Sequence, residues 1–343
     1  MPFKDQSQHW RVPVAYLKLF LRHAEAEGLP AERLLAGTGL QTDALRLSEE
    51  PVEFDATRRV LSNVTRAMGP GWHLSLAQRL TVPSHGPLGF AVVTAPNLRA
   101  AVSVLLRFIG TRGGWVWLAG SEEDDEFVVR LYESVDMGGE RAALVELAFL
   151  AIQNMLERPL GREMRGAKIA FAWPAPAYRD LLVESFHAQL EFDTGGHLLR
   201  FPATWLAEPC ILHDAAMHRY LVSRCEDDLR AAAGILPAEI AVRQALLAGG
   251  GRLPGLSEIA AAQHVSPRTL IRRLRRAGTS YSAILEGVRR TLAADFLLHS
   301  EMSVASIAFR LAYHDPSNFG RAFRTWFGIS PGRYRARARA QRK

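Results

Sequence analysis

The sequence contains few cysteines and lacks a long apolar segment, and both features exclude whole classes of protein. Two cysteines, Cys210 and Cys225, among 343 residues are too few for a disulfide framework or a cysteine-rich zinc module. No apolar run reaches the ~18 residues of a membrane-spanning helix, because the best candidate, 142–152, contains Glu146. The first residues include Asp5 and lack the apolar core of a secretion signal. We therefore expect a reduced, cytoplasmic protein without a membrane partner.

Motifs for metal binding and catalysis are also scarce. The histidines never show the His-x-x-x-His spacing of a helical metal site, and His213 and His218 are five residues apart. The glycine-rich segment 248–255 follows no strand and precedes no Lys-Ser/Thr pair, so it predicts a turn rather than a phosphate-binding loop. We expect both cysteines to be buried free thiols rather than a redox pair. These absences predict a protein that is not an enzyme and has no metal and no cofactor.

The positive charge is concentrated in the last third of the chain. Residues 235–343 contain 18 Lys and Arg but 6 Asp and Glu, a net charge of +12, whereas residues 1–234 have a net charge of −5. Of those 18 basic residues, 17 are arginine, whose planar guanidinium suits phosphate and guanine edges. The arginines are spread over several short segments rather than along one amphipathic helix, which favours nucleic acid over a membrane surface.

The hydrophobic pattern divides the chain into two domains. Residues 1–232 mix helical periodicity with short strand-like segments and predict an α+β domain. Within it, 189–192 and 198–201 predict a hairpin around Gly195-Gly196. We place a linker at 233–237, and the pattern of 238–343 is helical throughout. The predicted fold is an α+β N-terminal domain followed by an all-α C-terminal domain.

A helix-turn-helix unit is predicted at about 256–277. A short apolar helix is followed by a turn at 263–265, and Ser266-Pro267 then provides an N-cap and a first helical residue. Leu270 and Leu274 are four residues apart and face inward, which leaves the arginines of this second helix on its outer surface. In this arrangement the second helix enters the major groove of DNA.

A second copy of the same pattern is predicted at about 304–327. Asp315-Pro316 starts its second helix, and Phe319, Phe323 and Phe327 form the buried stripe. Two copies with matching caps and turns favour DNA binding over an ordinary solvated face. The outward-facing candidates for DNA contact are Arg268, Thr269, Arg272 and Arg273 in the first unit and Ser317, Asn318, Arg321 and Arg324 in the second.

The two units are joined by a predicted helix over 281–298. Eighteen helical residues form a rod of roughly 27 Å, and one turn of the duplex is ~34 Å. We therefore expect one chain to set two recognition helices into successive major grooves of one DNA molecule.

Motifs in the C-terminal domain resemble those of the AraC/XylS family of bacterial transcription regulators. The resemblance comes from Val265-Ser-x-Arg-Thr-Leu-x-Arg-Arg-Leu274, from Tyr313-x-Asp-Pro-Ser-Asn-Phe-x-Arg-Ala-Phe323 and from Phe327-Gly-Ile-Ser-Pro-Gly-Arg-Tyr-Arg335. Gly86-Pro-Leu-Gly-Phe90 and Leu198-x-Arg-Phe-Pro202 are similar to the arabinose-binding-type sensor domain of a subgroup that includes ornithine- and carnitine-responsive regulators.

This resemblance implies a ligand-responsive regulator that binds double-stranded promoter DNA as a homodimer, with residues 1–232 as the effector-sensing and dimerisation domain. An activator would also contact RNA polymerase. It implies that Arg268, Arg272, Ser317, Asn318 and Arg321 face the DNA. The chain departs from the family at both turns, where His264 and Ala312 replace the usual glycine, and a left-handed turn costs a non-glycine residue ~1–2 kcal/mol. Gly320, where serine is common, weakens its helix by ~1 kcal/mol relative to alanine.

The effector itself is not identified by any motif. Aromatic and cationic residues of the N-terminal domain are the candidates for effector binding, namely Trp72, His85, Arg107, Arg112, Trp115 and Trp117. Two alternatives stay open. One is an effector-independent regulator whose first domain only oligomerises, and the other is an enzyme fused to a DNA-binding module.

Overall fold

The N-terminal domain is a sheet covered by helices, as the mixed pattern of the sequence predicts. The computed structural model describes residues 11–113, 115–133, 137–235, 238–247 and 253–341. The helices of the N-terminal domain are α1 (Val14–Ala26), α2 (Ala31–Leu35), α3 (Thr42–Leu47), α4 (Phe54–Met68), α5 (Trp72–Ala77), α6 (Gly86–Val93), α7 (Leu98–Phe108), α8 (Arg141–Leu160), α9 (Arg179–Ser185) and α10 (Ala215–Ile235). Its strands are β1 (Arg11–Val12), β2 (Val52–Glu53), β3 (Val116–Glu123), β4 (Glu126–Glu133), β5 (Lys168–Ala170), β6 (Gln189–Glu191) and β7 (His197–Pro202).

In the described part of the chain, five strands form the main sheet in the order β3-β4-β7-β5-β6. The pairs are antiparallel except for β5 and β6, which run parallel. The predicted hairpin around Gly195-Gly196 is therefore wrong, because β5 lies between its two strands. β7 is buried almost throughout and takes a central position, where strands on both sides satisfy its backbone, whereas the half-exposed β6 lies at the edge.

The C-terminal domain is helical, as predicted. Its helices are α11 (Ala238–Leu247), α12 (Leu256–Ala262), α13 (Pro267–Arg276), α14 (Tyr281–His299), α15 (Val304–Arg310), α16 (Pro316–Phe327) and α17 (Pro331–Gln341). Residues 236–237 of the predicted linker and 248–252 of the predicted glycine-rich turn lie outside the described residues. Along the part of the chain that is described, none of the helices is sufficiently long and apolar to span a bilayer.

Each domain has its own apolar core. The N-terminal core joins α1, α4, α7 and α8 to one face of the sheet. The C-terminal core is built on α14, whose Ile284, Val288 and Phe296 are buried among side chains of the other helices. Trp117 of β3 is buried in this second core, so the sheet of the first domain packs directly against the second domain.

Candidate nucleic-acid interface and ligand cavity

The start of α13 has the predicted cap. The side chain of Ser266 accepts a hydrogen bond from the backbone N–H of Thr269 at 3.1 Å, and Pro267 is the first helical residue. Leu270 and Leu274 are buried, which fixes the rotation of the helix. The arginines between and beyond these leucines therefore lie on the solvent side, as the spacing predicts.

The start of α16 repeats this construction. Asp315 accepts a hydrogen bond from the backbone N–H of Ser317 at 2.9 Å. Phe319 and Phe323 are buried as predicted, whereas Phe327 at the end of the helix is only half-buried. On the exposed side, the guanidinium of Arg321 donates a hydrogen bond to the side-chain oxygen of Asn318. This contact holds two polar side chains together on the surface of the helix.

Both turns adopt a left-handed backbone conformation, although neither has the glycine that favours this conformation. The φ angle is 53° at His264 and 57° at Ala312. In both turns the next N–H reaches back five residues, from Val265 to Ala260 O at 3.0 Å and from Tyr313 to Ala308 O at 3.0 Å. The turns therefore keep the same hydrogen bonding without glycine, and the expected strain remains in the backbone.

All eight predicted DNA-contacting residues lie on α13 and α16 at the surface. Thr269 is half-buried and its hydroxyl oxygen lies 2.9 Å from that of Ser266, so it belongs in part to the cap. The other seven side chains are exposed: Arg268, Arg272, Arg273, Ser317, Asn318, Arg321 and Arg324. The structure brings them together in two groups, one on each recognition helix.

Arg289 of α14 fastens the second unit to the long helix, a contact that the sequence pattern did not reveal. Its guanidinium donates hydrogen bonds to the carbonyl oxygens of Leu311 at 2.8 Å and Ala312 at 2.9 Å, and it lies 4.5 Å from the ring centre of Tyr313. These bonds satisfy carbonyls at the end of α15. The position of the second turn is thus fixed relative to α14.

The interface between the domains uses other elements than the recognition helices. Trp117 and Tyr132 stack with ring centres 4.0 Å apart and pack into the C-terminal core. Arg130 of β4 pairs with Glu123 at 2.7 Å and with Asp295 of α14. The recognition helices thus keep their polar faces in solvent while α14 contacts the sheet.

The N-terminal domain contains an apolar cavity with a volume of about 80 Å³. It lies between α1, α4, α8 and the first strands of the sheet. Most of the lining is aliphatic or aromatic, including Phe20, Phe54, Leu61, Leu80, Ile109, Trp115, Leu118, Leu131, Leu144, Leu147, Ile152 and Met155. Apolar cavities of this character are typical sites for small molecules.

Few polar groups line this cavity, and they cluster at one end. The Tyr16 hydroxyl lies 2.9 Å from His85 Nδ1, and burial raises the pKa of Tyr16 to about 12. Burial and the nearby charge of Arg112 lower the pKa of His85 to about 4. Both groups are therefore neutral at pH 7, and Arg112 is the cation among the described lining residues.

Arg112 connects this end of the cavity to α10. Its guanidinium donates hydrogen bonds to the His85 carbonyl oxygen at 3.1 Å and to the Asp228 carboxylate at 3.1 Å. Gly86 accommodates the contact, since its φ is 58° and an added Cβ would lie 3.0 Å from Arg112 Nη1. The first glycine of the Gly86–Phe90 motif therefore borders the polar end of the cavity.

The six residues predicted to bind an effector are divided between four places. His85, Arg112 and Trp115 line the cavity. Trp72 packs beside it, against Phe20, and donates a hydrogen bond to Thr65 at 2.9 Å. Arg107 is exposed and pairs with Glu226 at 2.9 Å, and Trp117 lies in the domain interface. Tyr16 and Asp228 were not predicted, because nothing in their local sequence indicates contact with His85 or Arg112.

The two cysteines are buried and unpaired. Burial raises the pKa of the Cys210 thiol to about 11, and burial is also the main cause that raises the pKa of Cys225 to about 11. Thiols of this kind are poor nucleophiles at neutral pH, because the thiolate is the reactive form.

Comparisons with known proteins identify both domains. The model described as the arabinose-binding domain of the AraC transcription regulator, N-terminal, matches residues 28–210, and a helix-turn-helix domain model matches residues 259–337.

Similar proteins match along nearly the whole chain. The ornithine utilization regulator of Pseudomonas aeruginosa is 30% identical over 94% of this chain and 96% of its own length. A helix-turn-helix-type transcriptional regulator of Mycobacterium tuberculosis is 26% identical over 95% of this chain and 97% of its own. The crystal structure of the transcriptional regulator CdpR from P. aeruginosa aligns with a TM-score of 0.49 at 18% identity, over 94% of this chain and 98% of that one. With a ligand-binding domain followed by two helix-turn-helix units, the chain belongs to the AraC family of transcription regulators.

Proposed function

We propose that this regulator reads one duplex with both recognition helices of a single chain, α13 and α16 entering successive major grooves. The observation that carries the proposal is that both helices expose polar side chains and bury apolar ones after equivalent caps, at Ser266 and Asp315. α14 connects the two units and spans 19 residues, or roughly 28 Å at the helical rise. This length is close to one turn of DNA.

The side chains divide into two roles under this proposal. Arg268, Arg272 and Arg321 suit the O6 and N7 acceptors of guanine, and Asn318 suits adenine. The other four predicted residues position the helices on the backbone through phosphate contacts: Arg273, Arg324, Ser317 and the half-buried Thr269. The hydrogen bond from Arg321 to Asn318 orders both side chains before DNA binds.

The chain acts as a homodimer under this proposal, with the N-terminal domains in contact. Apolar side chains at and just before the start of α10 are largely exposed: Ile211 66%, Leu212 53%, Met217 47% and Tyr220 62%. A patch of this kind marks a protein contact surface. Because many DNA-binding regulators act as symmetric dimers, we assign the patch to a second copy of the chain.

Selection of DNA from a random library by the full-length protein, followed by footprinting, tests the proposal. Each chain is expected to protect two segments about 10 base pairs apart on one face of the duplex. Affinity should fall steeply with salt, because arginines displace counterions from phosphates. A single protected segment per chain would refute two-groove reading, and binding without salt or sequence dependence would refute the regulator function. A promoter reporter then distinguishes activation, with its contact to RNA polymerase, from repression.

Control by a small molecule is the second part of the proposal, and the apolar cavity supports it. The effector-independent alternative predicts that no small molecule shifts the melting temperature of the full chain. The fused-enzyme alternative requires a reactive group, and the buried thiols with raised pKa do not favour an alkyl-accepting cysteine. We therefore favour an effector-controlled regulator that is not an enzyme.

A further inference from the structure

We propose that the effector is an apolar monocarboxylic acid, and that its carboxylate is bound by His85 and Arg112 in competition with Asp228. This inference rests on the proposed role of the N-terminal domain as an effector sensor. It names the chemical class that the cavity takes and the contact through which binding is transmitted.

The lining of the cavity sets the character of the ligand. Aliphatic and aromatic side chains surround most of the space, and among the described residues no acidic side chain lines it. An ammonium group buried there would have no counter-ion, which is strongly unfavourable. An amino acid with a second amine, such as ornithine, is therefore a poor match even though the P. aeruginosa relative bears the name of an ornithine utilization regulator.

His85 offers a hydrogen bond that the described residues do not use. Its side chain is 3% exposed, and its Nε2 is buried without a hydrogen-bond partner. The Tyr16 hydroxyl lies 2.9 Å from His85 Nδ1, its hydrogen-bond partner among the described side chains, so we assign Tyr16 as the donor and Nδ1 as the acceptor. The neutral ring then carries its own hydrogen on Nε2. His85 lines the cavity, and leaving its buried donor without an acceptor is costly. We infer that a ligand carboxylate at this end of the cavity supplies the acceptor.

Arg112 supplies the positive charge that a carboxylate needs. Its side chain is 14% exposed, and its guanidinium contacts the backbone carbonyl of His85. A ligand carboxylate that accepts from His85 Nε2 is thus bound beside the guanidinium. The charge of Arg112 is at present balanced by Asp228, whose side chain is 33% exposed. Because Asp228 reaches solvent, water can stabilise its carboxylate once the ligand has taken its place.

The competition connects the cavity to the DNA-binding domain. Asp228 lies on α10, which is the last helix of the N-terminal domain and ends at Ile235, shortly before α11 begins at Ala238. Loss of the bond from Arg112 to Asp228 removes one of the contacts that hold the C-terminal half of α10 against the 3-10 helix at Ile109–Arg112. Binding of the acid therefore loosens the helix that leads into the C-terminal domain.

The experiment uses the full-length protein, sodium octanoate as the probe, and 1-octanol and ornithine as comparison compounds, with isothermal titration calorimetry as the readout. Octanoate is expected to bind with a clearly lower Kd than 1-octanol, and ornithine is expected not to bind. Asp228→Asn removes the competing charge, so we expect it to lower the Kd of octanoate by about fivefold, which corresponds to ~1 kcal/mol. The Kd of 1-octanol should not change.

Glu226→Gln is the matched control, because Glu226 lies on the same helix and its ion pair with Arg107 is exposed on both sides. It should leave octanoate binding as in the unmodified protein. Equal affinity for octanoate and octanol, binding of ornithine, or an equal effect of both substitutions would each overturn the inference. DNA affinity is measured on the same samples. If the unmodified protein binds DNA but not octanoate, this inference alone is refuted. If the unmodified protein does not bind DNA, the proposed function is refuted.

Discussion

Arg130 in the sheet of the N-terminal domain forms an ion pair with Asp295 on α14 of the C-terminal domain, and their side chains are only 2% and 10% exposed. Glu123 receives two further hydrogen bonds from the same guanidinium, at 2.7 and 2.9 Å. The guanidinium also lies 5.1 Å from the ring centre of Phe296. One buried cation thus joins two carboxylates from different domains, and this contact fixes where α14 lies on the sheet.

Removal of Arg130 should destabilise the protein more than removal of Asp295. Arg130→Met leaves two buried carboxylates without their cation and should lower the free energy of unfolding by about 3–5 kcal/mol. Asp295→Asn should cost less, because Glu123 still pairs with Arg130. Urea unfolding of the full chain, followed by circular dichroism, measures both. Arg99→Met is the control, since its ion pair with Glu122 is exposed and should be worth less than ~1 kcal/mol. A larger loss for Asp295→Asn than for Arg130→Met would contradict this explanation.

Arg272 is expected to determine one base of the binding site. Arg272→Ala should reduce discrimination at a single position by ~1–3 kcal/mol, because a bidentate contact to guanine is lost. Competition binding with the selected site and its single-base variants measures this change. Arg337→Ala, in the exposed and basic α17, serves as the control and should weaken all sequences alike while reducing the salt dependence. A uniform loss of affinity for Arg272→Ala would instead assign Arg272 to a phosphate.

Glycine in the two left-handed turns should stabilise the protein, and the gain should be larger at Ala312 than at His264. Ala312→Gly relieves a φ of 57° and should stabilise the protein by about 1 kcal/mol, whereas His264→Gly should do less because histidine tolerates this conformation better. Thermal unfolding measures both shifts. Ala305→Gly, at an exposed position within α15, is the opposite control and should destabilise by ~1 kcal/mol. If Ala312→Gly lowered the melting temperature, strain at this turn would be disproved.

The cysteines should be unreactive in the folded protein. Since burial raises the pKa of both thiols to about 11, the folded chain holds them protonated at pH 8, and unfolding restores ordinary acidity. Titration with a thiol reagent at pH 8 should therefore modify neither cysteine rapidly in the native protein and both in denaturant. Fast reaction of either thiol in the native state would support the alternative of an enzyme fused to a DNA-binding module.

The dimer should depend on the apolar patch near the start of α10. Met217→Asp combined with Tyr220→Asp places charge on this patch and should convert the protein to a monomer with an unchanged circular dichroism spectrum. Light scattering coupled to gel filtration gives the mass. Leu181→Asp is the control, because Leu181 is 50% exposed but lies on α9, outside the patch. A dimer that survives the double substitution would place the contact elsewhere.

Local patterns in the sequence were sufficient to predict the helices and turns of the C-terminal domain. The caps at Ser266 and Asp315, the apolar spacing of Leu270 and Leu274, and the left-handed turns all depend on residues within a few positions of one another. Interactions of this range determine where helices begin, end and turn. The predicted surface side chains of α13 and α16 therefore lie where the spacing placed them.

The cavity and the sheet order of the N-terminal domain depend on contacts between residues that are far apart in the sequence. No local sequence pattern encodes such contacts. Tyr16 meets His85 across 69 positions, and Arg112 meets Asp228 across 116. The order of the sheet also placed β5 between the two strands of the predicted hairpin. Trp115 and Trp117 are two residues apart, yet Trp115 lines the cavity and Trp117 packs into the core of the C-terminal domain. Only the assembled fold determines which of two similar side chains meets a ligand and which meets a second domain, because burial depends on what the rest of the chain brings to each position.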